Sequence, residues 1–465
     1  MLELQEITLS YQGNLILDKI DMRGEKGEII VITGQSGVGK STIIKMLNGI
    51  IPEIIECEMT GEIKYDGNYI IGESITERSH YISTVFQNPK TQFYCINSTD
   101  ELAFALENKN LPKEEILEKI DKYTKKLHIT HLLNRDIFTL SGGEKQLLAI
   151  TSVACMENDI YLFDEPSASL DKEAIVWLKN TLQTLKSMGK IVIVVEHRLY
   201  YLKEILDHLY VVEHKKTLHY TKERLEKQDK KIIESSHNLR SFDEVLIDTK
   251  DITTIILNKK YSYPIQENET VLHCKNFQVK YNKNVILDCD ISFSNDIYYI
   301  IGKNGVGKST FVKKLCNLIG GKGEVYYKDK KIKKSYEYIS LVMQDVNYQI
   351  FTETVWQEIS IVSDDKTEKE KVLKELGLWE KREYHPQILS GGEKQRLLIG
   401  MAKVSTKPIV ILDEPTSGLD KKQVENMARY LQEMKEQGKI VFVITHDYEL
   451  IQSCKGRVLE FVREE

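Results

Sequence analysis

The spacing of apolar residues changes from segment to segment. Runs that are apolar throughout, GEIIVITG, DIYLFDEP and GKIVIVVEH, stop at turn or charged residues, which predicts strands of a buried, mostly parallel sheet. Elsewhere the period is helical: KEEILEKIDKYTKKL places Ile116, Ile120, Tyr123 and Leu127 on one face, so a helical subdomain is expected in the middle of the first half. Strands alternating with helices indicate an α/β fold. The longest apolar runs, such as Ile191 to Val195 and Ile409 to Leu412, fall far below the roughly 18 residues that a membrane-spanning helix needs.

The same order of segments occurs twice. Tyr11 pairs with Tyr281 at an offset of 270, Lys40 of GQSGVGKST with Lys308 of GKNGVGKST at 268, and Gln87 of FQNPKTQFY with Gln344 of MQDVNYQIF at 257. From LSGGEKQ onward the offset is constant at 249, for Ser141 and Ser390, Asp164 and Asp413, and His197 and His446. A repeat of this length is a domain rather than a solenoid unit. Two homologous α/β domains are therefore expected at residues 1–230 and 269–465. A connector at 231–268 lies within a stretch of mixed charge, 215–260, that reads as partly helical rather than as a flexible Gly/Ser linker.

With 465 residues, more than one core is expected. Lys and Arg number 64 against 70 Asp and Glu, a net charge of −6, so there is no basic bias toward nucleic acid. The seven cysteines form no CxxC pair and read as free thiols; with an N-terminus lacking a basic-then-apolar leader, they point to the cytoplasm.

The chemistry sits in three motifs. Gly34, Gln35, Ser36, Gly37, Val38, Gly39, Lys40, Ser41 and Thr42, and again Gly302, Lys303, Asn304, Gly305, Val306, Gly307, Lys308, Ser309 and Thr310, each follow an apolar strand and open a helical pattern. That is the context of a phosphate-binding loop, in which backbone N–H groups and the lysine face the phosphates and the serine offers a hydroxyl to Mg²⁺. Asp164-Glu165 and Asp413-Glu414 end apolar strands, so one carboxylate can serve a metal and its neighbour can orient water. In LSGGEKQ, Ser141 with Glu144 and Ser390 with Glu393 read as capping boxes that would by themselves start a helix. Capping does not need Gly142 and Gly143, or Gly391 and Gly392, which cost about 1 kcal/mol each against alanine. They fit a phosphate approaching the backbone.

Taken together, the phosphate loop, Gln segment, LSGGE, FDEP or LDEP and strand-end histidine resemble an ABC-type ATPase, twice over and across nearly the whole chain. The resemblance implies two P-loop domains, each with a parallel-sheet core, an antiparallel β subdomain and an α-helical subdomain. It also implies head-to-tail pairing of the copies, with ATP and Mg²⁺ between the phosphate loop of one and the LSGGE of the other. One site would join Lys40, Ser41, Gln87, Asp164, Glu165 and His197 to Ser390, Gly391 and Gly392. The second would join Lys308, Ser309, Gln344, Asp413, Glu414 and His446 to Ser141, Gly142 and Gly143. In this pattern Tyr11 and Tyr281 stack on adenine, Asp171 and Asp420 link the sites, and the histidines sense the γ-phosphate. Mg²⁺ falls to Ser41, Gln87 and Asp164 and to Ser309, Gln344 and Asp413. Both sites keep every residue needed for hydrolysis, so two competent sites are expected. Leu147 against Arg396 and Glu196 against Thr445 argue for unequal rates.

The Gln segments, FQNPKTQFYCINSTDELAF and MQDVNYQIFTETVWQEI, are similar to those of ATPases in energy-coupling-factor transporters, which import vitamins or transition-metal ions. That implies partners in an integral-membrane coupling subunit, whose helix would enter a groove beside the Gln segment, and a substrate-binding membrane subunit. The protein would sit on the cytoplasmic face of the cell membrane, with no nucleic-acid partner. The alternative is a soluble tandem ABC ATPase acting on ribosomes, though such proteins typically carry a longer, basic linker.

Overall fold

The computed structural model describes residues 1–168, 170–263, 271–281 and 284–464; the side chains of 90, 261–263 and 281 lie outside the described set. The chain forms two compact units, Met1–Glu244 with Asp420–Lys422, and Val245–Leu419 with Gln423–Glu465.

In the first unit the three apolar runs become the strands Ile29–Thr33, Ile160–Asp164 and Ile191–Val195. They pair in parallel, with Ile82–Val85 beyond Ile160–Asp164 and His208–Glu213 on the other side of Ile29–Thr33. The period of two divides each run between two cores. Ile29, Val31, Tyr161, Phe163, Val192 and Val194 pack on one face, and Ile30, Ile32, Ile160, Leu162, Ile191 and Ile193 on the other. A sheet covered on both faces explains why these runs have no polar face.

Leu2–Tyr11, Asn14–Gly24, Glu58–Tyr65 and Asn68–Tyr69 form a separate antiparallel sheet. Its alternation is interrupted: Leu2 and Leu4 are buried, then Ile7 and Leu9. The register shifts between Leu4 and Ile7 where Glu6 takes φ 48°, a bulge that returns Ile7 to the core face. The second unit repeats the device at Asn276, φ 48°, between Cys274 and Phe277. The helical subdomain contains Ser98–Asn108, Lys113–Lys126 and Gly142–Cys155, whose core includes Ile116, Ile120, Tyr123 and Leu127 as the spacing predicts.

In the second unit Ile339–Val342, Ile409–Asp413, Ile440–Ile444, Ile297–Ile301 and Arg457–Val462 form the corresponding parallel sheet. Its antiparallel sheet includes Leu272–Tyr281 and Asn284–Phe293, and its helices Val355–Ser360, Lys366–Glu375 and Gly391–Val404. The fold is thus α/β, with a parallel core, an antiparallel β subdomain and a helical subdomain in each unit.

The two sheets end differently at one edge. In the first unit Lys216–Thr221 closes the edge as an antiparallel hairpin with His208–Glu213. In the second, Ile252–Ile256 runs parallel to Arg457–Val462. The described part of the connector, 231–263, is shared between the units. Ile233, Leu239 and Phe242 pack into the first unit's core, while Ile255 and Leu257 belong to the core of the second.

Candidate functional site

Four neighbouring strands of each parallel sheet deliver the candidate residues at their carboxyl ends, where α/β sheets commonly bind ligands. In the first unit Gly34 follows Ile29–Thr33 directly, Gln87 lies two residues past Ile82–Val85, Asp164 ends Ile160–Asp164, and His197 lies two residues past Ile191–Val195. The loop then enters the helix Lys40–Leu47 through Gly39, left-handed at φ 101°, with no side-chain cap on the helix N-terminus. First-turn N–H groups and the helix dipole suit phosphate there. Lys40 Nζ donates to the carbonyls of Gly34 at 3.0 Å and Gln35 at 2.8 Å, so the ammonium closes over its own loop. Burial lowers its pKa, opposed chiefly by Glu165.

Ser41 Oγ donates to Asp164 Oδ1 at 3.1 Å. Beside it Glu165 takes φ 48°, and its counterpart Glu414 takes φ 50°. A left-handed glutamate at the same place in both units is a costly backbone state of the kind found at functional sites. Glu165 is held at one oxygen, where Gln87 Nε2 donates to Oε2 at 2.6 Å, and His197 Nε2 lies 3.5 Å from Oε1. Burial pushes its pKa up to about 7, so it titrates where a general base works well. Burial, then the neighbouring Glu165 charge, raises Asp164 to about 6, while burial and then Lys40 hold the pKa of His197 well below the usual imidazole range. Two adjacent carboxylates, a serine hydroxyl and a glutamine amide form an all-oxygen donor set for a hard divalent cation, whose charge would relieve the buried carboxylates. The residues fit Mg²⁺.

The second unit repeats part of this geometry. Lys308 Nζ donates to Gly302 O at 2.6 Å and Lys303 O at 3.1 Å and lies 3.3 Å from His446 Nε2. His446 Nε2 is 3.6 Å from Glu414 Oε1, and burial raises Asp413. Tyr11 ends the strand Leu2–Tyr11 beside Thr42, whose side chain hydrogen-bonds it. The side chain of Tyr281 lies outside the described residues.

Ser141 and Ser390 stand at the N-termini of Gly142–Cys155 and Gly391–Val404, each in a reciprocal capping box with Glu144 or Glu393. A Cβ at Gly142 or Gly391 would meet nothing within 4 Å, so these helix starts are open to an approaching group. Asp171 caps Lys172–Ser187, accepting from Ala174 N at 2.9 Å.

One anchoring residue has no role in the motif reading. Glu196, 3% exposed, accepts from the N–H groups of His197 at 2.8 Å and Arg198 at 3.1 Å and from the Tyr201 hydroxyl at 2.9 Å. It fixes the loop that carries His197. In the second unit Thr445 takes one such bond, from Asp447 N at 3.0 Å. The contrast between Glu196 and Thr445 was visible in the sequence, but a strand-end polar residue does not reveal which N–H groups it will hold.

The model of the ABC transporter family matches residues 17–168 and 288–417, one span in each unit. The chain belongs to the ABC transporter family. This ABC protein is 35% identical over 474 residues to a Treponema denticola protein provisionally named an ABC transporter ATP-binding protein, covering 99% of this chain and 95% of that one. It is 30% identical over 497 residues to a Bacillus subtilis protein provisionally named an HMP/thiamine import ATP-binding protein, covering 99% and 89%. Among solved structures it resembles the archaeal ribosome recycling factor aABCE1, in complex with ribosomal stalk protein aP1. The TM-score is 0.63 at 23% identity, over 98% of this chain and 87% of that one, a likeness of fold.

The raised carboxyl gives this ABC protein a pH signature. Glu165 has an ordinary pKa of 4.5 and a folded value of about 7, so its contribution to stability is full below about 4.5 and lost as pH rises through 7. The difference is on the order of 3 kcal/mol. Without nucleotide or Mg²⁺, Glu165→Gln is expected to melt with wild type near pH 5 and above it near pH 8. Parallel melting curves at both pH values would count against a buried Glu165 that titrates near neutrality.

Proposed function

We propose that this chain is the ATP-hydrolysing subunit of a membrane importer of the energy-coupling-factor type, for a vitamin or a transition-metal ion. The observation that carries this reading is an exposed apolar edge immediately after the catalytic glutamine in each unit. Tyr94 is 78% exposed and Phe351 79%, and they are flanked by exposed Ile96 and Tyr348. Tyr94 stacks on Phe104 with ring centroids 5.1 Å apart. They border a cleft of about 300 Å³ lined by Phe86, Gln92, Ala105 and Met156. Aromatic side chains at the rim of an apolar cleft suit the nonpolar face of an amphipathic helix. The import name of the Bacillus subtilis relative supports the same reading. Among the described residues no helix is long and apolar enough to cross a membrane, so the membrane helices would come from partner subunits.

In this reading each unit's phosphate loop binds one ATP. Ser41, Gln87 and Asp164, or Ser309, Gln344 and Asp413, would hold Mg²⁺, which neutralises phosphate charge. Glu165 or Glu414 takes the proton of the attacking water, and His197 or His446 holds that carboxylate in place while contacting the γ-phosphate. Loss of the phosphate releases the residues that held it, and the resulting movement would reach the docked helix.

The test is co-expression with the candidate membrane subunits. Membrane association in their presence is expected, and Tyr94→Glu with Phe351→Glu should lower the bound fraction about tenfold or more while basal ATP turnover stays within about twofold. Failure to associate with membranes, with sedimentation on ribosomes instead, would replace the transport reading with the ribosomal one.

A further inference from the structure

Between Gln87 and the exposed aromatic edge, side chains with no assigned role make the same bonds in both units. Gln92 Oε1 accepts from Phe86 N at 3.3 Å, and its Nε2 donates to Thr84 O at 3.0 Å. Gln349 does the same in the second unit, accepting from Met343 N at 2.7 Å and donating to Leu341 O at 2.7 Å. A carboxamide that takes one N–H and gives one N–H two residues apart replaces the peptide group of a neighbouring strand. It therefore extends the ladder of Ile82–Val85, or of Ile339–Val342, up to the residue before the catalytic glutamine.

A second clamp follows nine residues on. Glu101, 5% exposed, accepts at Oε2 from Tyr94 N at 2.9 Å and Cys95 N at 2.8 Å. Glu358, fully buried, accepts at Oε2 from Phe351 N at 3.1 Å, Thr352 N at 2.9 Å and the Thr352 hydroxyl at 2.7 Å. Gln92 and Gln349, Tyr94 and Phe351, and Glu101 and Glu358 all share the 257-residue offset of Gln87 and Gln344. Consecutive backbone N–H groups bonded to one oxygen of a buried carboxylate make a firm anchor, because releasing them would leave that oxygen without partners. The other oxygen of Glu358, Oε1, is buried and has no hydrogen-bond partner among the described residues.

The geometry points to Gln92 and Gln349 as positioning residues for Gln87 and Gln344, with Glu101 and Glu358 fixing the other end of the same segment. One clamp holds the backbone leading into the catalytic amide and the other holds the aromatic edge. Displacement at the edge is therefore delivered to the amide rather than absorbed by a loose loop. The inference rests on the ATPase reading only for the consequence at Gln87 and Gln344; the clamps themselves are backbone statements.

The test uses the full chain carrying Gln92→Met and Gln349→Met, which keep the length and remove the paired bonds. Each lost neutral pair is expected to lower kcat about tenfold with less than about twofold change in KM for ATP, since the substrate-binding loop is untouched. A Glu substitution, which keeps the acceptor alone, should fall between. Amide hydrogen exchange at Phe86 and Met343 is expected to accelerate about tenfold or more in the Met variants, whether or not the chain hydrolyses ATP. Unchanged exchange at both amides would overturn the clamp. Accelerated exchange with unchanged kcat in an active protein would overturn the positioning role. A wild type with no ATP turnover would fail the ATPase reading, leaving the exchange result to decide the clamp.

Discussion

The double variant Glu165→Gln with Glu414→Gln is expected to hydrolyse ATP at least about a hundredfold more slowly than wild type while binding it with similar affinity. Glutamine keeps the shape and one acceptor oxygen, so the bond from Gln87 to the side chain survives, but the carboxylate proposed above to accept the proton of water is gone. The phosphate loop, with Lys40 closed over Gly34 and Gln35, is untouched. Each single variant is expected to lose half of the turnover or more, because both units place the glutamate in the same left-handed backbone state and near the same histidine. The units are not identical. Glu196 holds the His197 loop through two N–H groups and a tyrosine hydroxyl, where Thr445 accepts from a single N–H, so the two single variants are expected to differ in rate. Steady-state turnover and nucleotide binding of the three variants decide the matter. Full activity in Glu414→Gln beside complete loss in Glu165→Gln would leave one competent site rather than two.

Much of this architecture was legible because burial on both faces leaves a strand no choice of composition. IIVIT, IYLFD and IVIVV are apolar at all positions but Thr33 and Asp164, and the residues that the structure gathers lie at or just past the strand ends. The repeat did the rest, since a tyrosine or histidine that says little alone is informative at a matched offset. What stayed hidden depends on partners far away in sequence. Ile252–Ile256 buries only Ile255 among its five residues, so an edge strand of the second sheet reads as polar connector. The bulges at Glu6 and Asn276 break the period of two without any glycine at those positions to mark them. Gln92 looks like any surface amide until the strand end it completes is known. The helix spacing of Lys113–Lys126, by contrast, is a local property and was readable directly.

Gly34→Ala and Gly302→Ala are expected to be strongly damaging single-methyl changes. Gly34 has φ 141°, and a Cβ there would stand 2.3 Å from the carbonyl oxygen of Val212; Gly302 has φ 137°, with the oxygen of Phe461 at 2.4 Å. In each case the obstructing atom is backbone in the next strand of the parallel sheet, so it cannot swing aside as a flexible side chain would. Thr33 pairs with Val211 and Ile301 with Glu460, immediately before the glycines, and moving those strands apart would break the ladder that holds the phosphate loop. A loss of more than about 3 kcal/mol is expected, or roughly 6–12 °C in the melting of the affected unit, together with loss of ATP binding there. Gly37→Ala is the control. It has φ 81° but nothing within 4 Å of the added methyl, so only the cost of a left-handed alanine, about 1–2 kcal/mol, should appear. Calorimetry with and without ATP separates the two cases: if Gly34→Ala melts within about 2 °C of Gly37→Ala and still gains stability from ATP, the close approach of the strand does not constrain the loop.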